Sequence, residues 1–180
     1  MMNAPLTIAV VLASAVLIVG FSRRREKPRH RRNLKRAKRI LGRFAGLTDG
    51  EIVAYLRKID PYVFEELVLE AFRRSGYRIW RNRRYSGDGG MDGRMEKGGI
   101  RYIVQCKRYS GDIHLEHVRQ FVQLCRVRDT AGVFVHTGRT GSGIHRYLHE
   151  NGDASVLIYS GGRLASLLRN AASSRGGRTI

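Results

Sequence analysis

Between residues 60 and 76 the apolar positions Phe64, Leu67, Val68, Ala71 and Phe72 recur at i, i+3, i+4, i+7 and i+8. That spacing lines one face of an α-helix. Asp60 followed by Pro61 predicts the start, a carboxylate N-cap ahead of proline at the first helical position. Gly76 predicts the end. Upstream, "TDGE" at 48–51 reads as a capping box, with Thr48 as N-cap and Glu51 reaching back, opening a short helix through Lys58. Leu34, Ala37, Leu41 and Phe44 suggest a further helix, amphipathic and basic.

After Gly76 the period changes to two. "YRIWRN" (77–82) alternates, and "MDGRME" (91–96) and "RYIVQCKRY" (101–109) are two more strands joined by "KGG", a hairpin signal. A helix follows over about 114–128, with Leu115, Val118, Val122 and Cys125 facing inward. "AGVFVHT" (131–137) is a short apolar strand, "GSGIHRYLHENG" a helix ending at Gly152, "SVLIYS" (155–160) a strand and "GRLASLLRN" the last helix. The order α-β-β-β-α-β-α-β-α predicts an α/β fold, a mixed β-sheet flanked by helices on both faces. The tail 171–180 is expected to be disordered.

The N-terminus obeys a different rule. Residues 4–21, "APLTIAVVLASAVLIVGF", form an uncharged apolar run of 18 residues. As a helix, at about 1.5 Å per residue, it reaches roughly 27 Å, close to the hydrocarbon thickness of a bilayer. A cleaved signal peptide competes, because "ASA" at 13–15 resembles a small-residue cleavage site. Yet no basic residue precedes the run, and the run continues past that tripeptide. The expectation is an uncleaved transmembrane helix within 1–22.

Charge sharpens the picture. The 180-residue chain carries a formal net charge of +19, a balance that favours a polyanionic partner, either nucleic acid or an anionic membrane surface. Residues 22–43 alone hold twelve Lys or Arg against one Glu. Positive charge just after a span holds that side in the cytoplasm, and the same run can bind anionic lipids at about 1 kcal/mol per basic residue. Residues 23–47 are therefore read as a basic juxtamembrane linker and helix, and 48–170 as the globular domain. With 42 % hydrophobic residues the chain can bury a real core. Cys106 and Cys125 have no framework spacing and are read as two buried, reduced thiols.

Candidate chemistry sits in "GDGGMDGRMEKGGIRYIVQCKRY", residues 87–109. On the second strand Ile103, Gln105 and Lys107 share one face, and Tyr102, Val104 and Cys106 the other. The first set turns polar toward the strand's C-terminal end, where open α/β sheets carry their sites. Asp92, one hairpin earlier, can lie across from Gln105 or Lys107. Asp92 offers a hard anionic oxygen, Gln105 a carbonyl oxygen and Lys107 a positive charge, a set that can bind a divalent metal and support phosphodiester hydrolysis. Glu65, on the first long helix, is the natural fourth member. Glu66 points about 100° further around that helix and is expected to face water. Asp88, with Gly89 and Gly90, is read as the turn that carries Asp92, its carboxylate capping the loop. The bland reading is that this is only a turn and a strand end emerging into solvent.

The segments "FEELV", "GDGGMDG", "QCKRY", "VRQFVQLCRV" and "AGVFVHTG", in this order over about residues 60–169, resemble the Mrr-type restriction endonuclease domain of the PD-(D/E)xK nuclease superfamily. The resemblance implies a restriction-endonuclease-like fold and Mg²⁺-dependent cleavage of DNA, with Mn²⁺ as a substitute. By motif match it implies Asp92, Gln105, Lys107 and Glu65 as catalytic residues, with Asp92, Gln105 and Glu65 on the metal. Met91 stands where the superfamily has proline, and Gln105 where most members have an acid. His145 and His149 are spaced i, i+4, but without a further ligand nearby they are read as surface or phosphate-side histidines.

The leading expectation is a membrane-tethered, metal-dependent DNA endonuclease on the cytoplasmic side of a bacterial inner membrane, possible as a homodimer, with restriction of foreign DNA as its purpose. Arg83, Arg84, Arg94 and Arg108 are the expected DNA contacts, within a wider basic group that includes Arg81, Lys97 and Arg101. The alternative is a non-catalytic, membrane-anchored DNA-binding module. A third reading, an envelope-assembly protein bound to lipid, rests on residues 1–43 alone. RNA as substrate stays open.

Overall fold

The structure, a computed structural model, describes residues 28–82, 90–151 and 155–174. Contacts divide the chain into two units, Met1–Arg31 and Arg32–Ile180. The apolar run expected to cross a membrane lies outside the described residues, as do Arg83, Arg84, Asp88, Gly89 and most of the tail. Among the described residues no helix is long and apolar enough to cross a membrane.

The elements are α1 (Pro28–Leu41), a 3-10 turn (Phe44–Gly46), α2 (Asp49–Leu56), α3 (Pro61–Arg74), β1 (Arg78–Arg81), β2 (Gly93–Lys97), β3 (Ile100–Lys107), α4 (Leu115–Val127), β4 (Ala131–His136), α5 (Ser142–Glu150), β5 (Val156–Tyr159) and α6 (Gly161–Ser173). Local chemistry sets the ends as expected. Thr48 and Glu51 form the capping box of α2, and Asp60 Oδ1 accepts from the backbone N–H of Tyr62 and Val63 with Pro61 at the first turn of α3. Gly98 and Gly99, at φ +60° and +79°, close the two-residue hairpin between β2 and β3, a turn that demands positive φ at both positions.

The five strands form one sheet in the order β1-β2-β3-β4-β5. The first three pair antiparallel, while β3–β4 and β4–β5 are parallel. One face is covered by α3 and α6, and the apolar side chains of α1, the 3-10 turn and α2 join the same core: Ala37, Ile40, Leu41, Phe44, Ile52 and Leu56 are buried with Phe64, Phe72, Val104, Cys106 and Leu164. The basic amphipathic helix is thus not a solvated linker beyond Arg32. Its apolar stripe is buried and its charges face out, so the packed domain starts well before residue 48. The opposite face is covered only in part. Phe121, Val122 and Cys125 of α4 and Ile144 of α5 pack on Ile103, Phe134 and Val156. Among the described residues no helix covers that face over β1 and β2, where Trp80 and Arg94 are exposed. Both cysteines are buried and free, as expected.

Close approach of α4 to β4 depends on a missing side chain. A Cβ at Gly132 would meet the Phe121 ring at 2.7 Å and collide with Cys125 Sγ. Gly132→Ala is expected to cost about 1–3 kcal/mol through overpacking, measured as a lower denaturant midpoint at unchanged slope. An unchanged midpoint would show that α4 is free to shift.

Candidate active site

Asp92 is the centre of the constellation. It sits one residue before β2, where its backbone N–H donates to Val104 O at 2.8 Å and its Oδ2 accepts from the Cys106 N–H at 2.6 Å. The carboxylate is therefore clamped against the β3 backbone between Gln105 and Lys107. Burial pushes it up to about 6, against the pull of the Cys106 N–H and the Lys107 ammonium. Glu65 enters from α3. Burial first, then the Asp92, Glu66 and Asp60 charges, push its carboxyl up to about 8.

Alternation along β3 places the other two residues as the sequence predicted. Val104 and Cys106 belong to the core under α3, whereas Ile103 packs on the α4 side. Gln105 and Lys107 follow Ile103 in phase and pair in register with Phe134 and His136 of β4. Gln105 is buried and its amide lies over Gly90, where an added Cβ would come within 2.5 Å of Nε2. Gly90 has φ +83°, so this turn needs glycine twice over, for backbone angle and for room. Asp92 is the shared neighbour. It raises the Glu65 carboxyl from one side and feels Lys107 from the other.

Four neighbours escaped the sequence analysis. His136 is fully buried on β4 beside Lys107, with Nε2 bonded to Thr140 Oγ1 at 3.0 Å, and burial holds it down at about 4, so it is neutral. Tyr109 hydrogen-bonds through its hydroxyl to His117 Nδ1, and the His114 and His117 rings stand 5.4 Å apart. His117 is near enough to Lys107 for that charge to help lower it, after burial. The spacing of His114 and His117 at i, i+3 was the available signal.

The basic residues divide by role. Arg81, a member of the wider basic group near the strands, turns into the core: its Nε donates to Glu66 at 2.8 Å and its Nη2 to Glu70 at 3.3 Å. Glu66 does not face water, a correction with the same cause, since both carboxylates are nearly fully buried under β1. Arg108 Nη1 donates to the carbonyls of Ile59 (2.6 Å) and Arg57 (3.2 Å), a clasp on the α2–α3 connection. Lys97 Nζ donates to Ser75 O at 2.9 Å. Arg94 and Arg101 remain exposed on the open sheet face, and His145 and His149 are exposed on α5.

The donor set suits a small hard cation. Two carboxylates and an amide carbonyl are oxygen ligands, and Mg²⁺ takes one or two protein carboxylates with water and substrate oxygens completing its shell. Among the described residues no group of three or more His, Cys, Asp or Glu gathers for a metal. Burial nonetheless raises both carboxyls, and the Asp92 charge raises Glu65 further, penalties that a cation held by the two would offset.

The sequence pattern of the restriction endonuclease family Mrr_cat matches residues 56–168. The chain belongs to that family. Its Mrr-type domain is also similar to the solved structure of MspJI restriction endonuclease in complex with a 27-mer oligonucleotide, with a TM-score of 0.58 and 26% identity over 73% of this chain. The match spans only 33% of the MspJI chain. None of the curated proteins matches the chain significantly. Family and neighbour together make this Mrr-type chain a restriction-endonuclease-like nuclease domain, with a mixed five-stranded sheet flanked by helices.

Proposed function

We propose that the protein is a metal-dependent endonuclease that hydrolyses phosphodiester bonds of DNA, tethered to a membrane by residues 1–22. The observation that carries the catalytic part is Asp92, held by the Cys106 N–H with Glu65 on one side and Lys107 on the other. Asp92 and Glu65, with the Gln105 carbonyl, would hold Mg²⁺ or Mn²⁺, which supplies positive charge to the phosphate and makes a nearby water easier to deprotonate. The Lys107 ammonium stabilises negative charge that develops on the phosphate oxygens. Gln105 contributes an oxygen without charge, so the cation's hold rests on the two carboxylates. The 27-mer oligonucleotide in the MspJI structure supports a nucleic-acid partner, and the restriction endonuclease family supports DNA. Membrane attachment is supported by the apolar run at 4–21 and the basic stretch behind it. Cutting both strands would favour a homodimer.

The test is full-length protein in detergent with supercoiled plasmid in Mg²⁺, Mn²⁺ or EDTA. Nicking in either metal that disappears in EDTA is the expected result. DNA retention without nicking in both metals would favour the binding-module reading.

The carboxylate pair also sets a pH dependence. Unfolded Asp and Glu ionise near pH 4. In the metal-free fold Asp92 holds its proton to about 6 and Glu65 to about 8. Between those limits the folded state binds more protons than the unfolded one. Their contribution to stability is thus complete below the unfolded values and declines as pH rises through about 8. Denaturant unfolding in EDTA at several pH values should show Glu65→Gln losing part of this decline, and Mg²⁺ should stabilise the wild type more at pH 8 than at pH 5.5. A parallel pH profile for wild type and Glu65→Gln would contradict the account.

A further inference from the structure

The open face of the sheet holds a second feature that the catalytic constellation does not use. A shallow depression of about 530 Å³ is lined by Trp80, Arg94, Glu96, Arg101, Ile103 and Arg128. Its members come from β1, β2, β3 and the turn after α4, so the sheet itself assembles it. Three arginines face one glutamate, and the pairing of Glu96 with Arg101 is long and exposed, at 3.8 Å. Such a pair contributes little and leaves the positive field largely intact. Trp80 is 37% exposed, and the Arg78 guanidinium stacks on its ring at 4.9 Å from the centroid.

We infer that this depression binds one unpaired nucleotide of a DNA strand, its phosphates on Arg94, Arg101 and Arg128 and its base against Trp80. The inference extends the nuclease reading and rests on it for the class of ligand. Three observations select that occupant. The charge is complementary to phosphate, and arginine forks suit phosphate oxygens. An exposed indole among arginines offers a stacking surface that accepts any base, the combination used for single-stranded nucleic acid. The volume lies in the range of small-ligand clefts, about 300–1,000 Å³, and suits one nucleotide rather than the convex side of a duplex.

Position ties the depression to the active site. Ile103, on its floor, is in phase with Gln105 and Lys107 on the same strand. At about 3.3 Å per residue, Lys107 lies about 13 Å further along β3. A strand passing Lys107 can therefore place a nearby nucleotide against Trp80. A base that is already unpaired, through a nick, gap or frayed end, would fit without the cost of opening a duplex.

Trp80 is the chain's single tryptophan, so its fluorescence reports on the depression directly. Full-length protein in EDTA, where cutting is suppressed, is titrated with a short oligothymidylate, a blunt duplex of equal length and polyglutamate. The oligothymidylate should quench Trp80, and Arg101→Glu and Arg128→Glu should weaken that quenching about tenfold or more. Equal quenching by the blunt duplex, stronger quenching by polyglutamate, no quenching, or indifference to both charge reversals would each overturn the inference. Asp92→Asn separates the two readings. Quenching without nicking in the wild type would defeat the nuclease and spare the depression, whereas nicking without quenching would do the reverse.

Discussion

Asp92→Asn should lose at least about 10²–10³-fold in plasmid nicking, the scale set by removing one preorganised electrostatic group, while DNA retention in EDTA stays near wild type. The substitution is chosen for what it preserves. An asparagine carbonyl oxygen can still accept from the Cys106 N–H that holds Asp92 at 2.6 Å, so the β2–β3 edge keeps its clamp. What disappears is the negative charge, and with it half of the charged donor set. Folding should not suffer, because burial already disfavours the ionised form of Asp92. A melting temperature equal to or above wild type with nicking abolished is the expected pair of results. Substantial nicking by Asp92→Asn in Mg²⁺ would remove Asp92 from the reaction, and a large loss of stability would make its role structural. Lys107→Ala, tested beside it, should also lose nicking while metal binding remains.

The largest stability effect is expected far from that chemistry, at Arg81. Its guanidinium joins β1 to α3 through Glu66 and Glu70, whose side chains are 3% and 1% exposed. Glu70 keeps Arg73 at 2.8 Å and Arg74 at 3.4 Å, but Arg81→Met removes the guanidinium bonded to Glu66. Withdrawing one partner from a buried ion pair typically costs about 3–5 kcal/mol, because the remaining charge stays out of water. For a domain of this size, at roughly 2–4 °C per kcal/mol, the melting temperature should fall on the order of 10 °C. Pairing Arg81→Met with Glu66→Gln should recover part of that loss, since the carboxylate that loses this guanidinium is replaced by a neutral amide. A single variant that melts with wild type would show that this network is dispensable. The same experiment bears on Arg81 as a DNA contact, because weakened DNA retention would then accompany unfolding rather than precede it.

Most of the architecture was legible in local pattern. The capping box at Thr48, the Asp60-Pro61 start, the Gly98-Gly99 hairpin and the strand alternation at 101–107 all appear where the sequence places them. Each depends on residues at most a few positions apart. The candidate site was legible for a related reason: Gln105 and Lys107 share a strand face, and Asp92 stands one tight hairpin away. Glu66 went wrong because helical phase says which direction a side chain points, not what waits there. A cation arriving from β1, fifteen residues on, turned an expected surface glutamate into a buried one.

By itself, the sequence determined the elements, most of their ends, the mixed α/β class and the polar strand end, because caps, turns and periodicity are properties of neighbouring residues; α6 instead runs to Ser173, into the tail expected to be disordered, because Ala171 is buried in the core. Only the tertiary structure decided which charges meet. Parallel pairing of β3 with β4 set neutral His136 beside Lys107, and packing of α3 brought Glu65 into the field of Asp92. The helix α1 changed from basic linker to core element because its thin apolar stripe found a surface to cover. Burial and long-range pairing depend on the closing of the whole sheet and its helices, and no window of sequence contains that information.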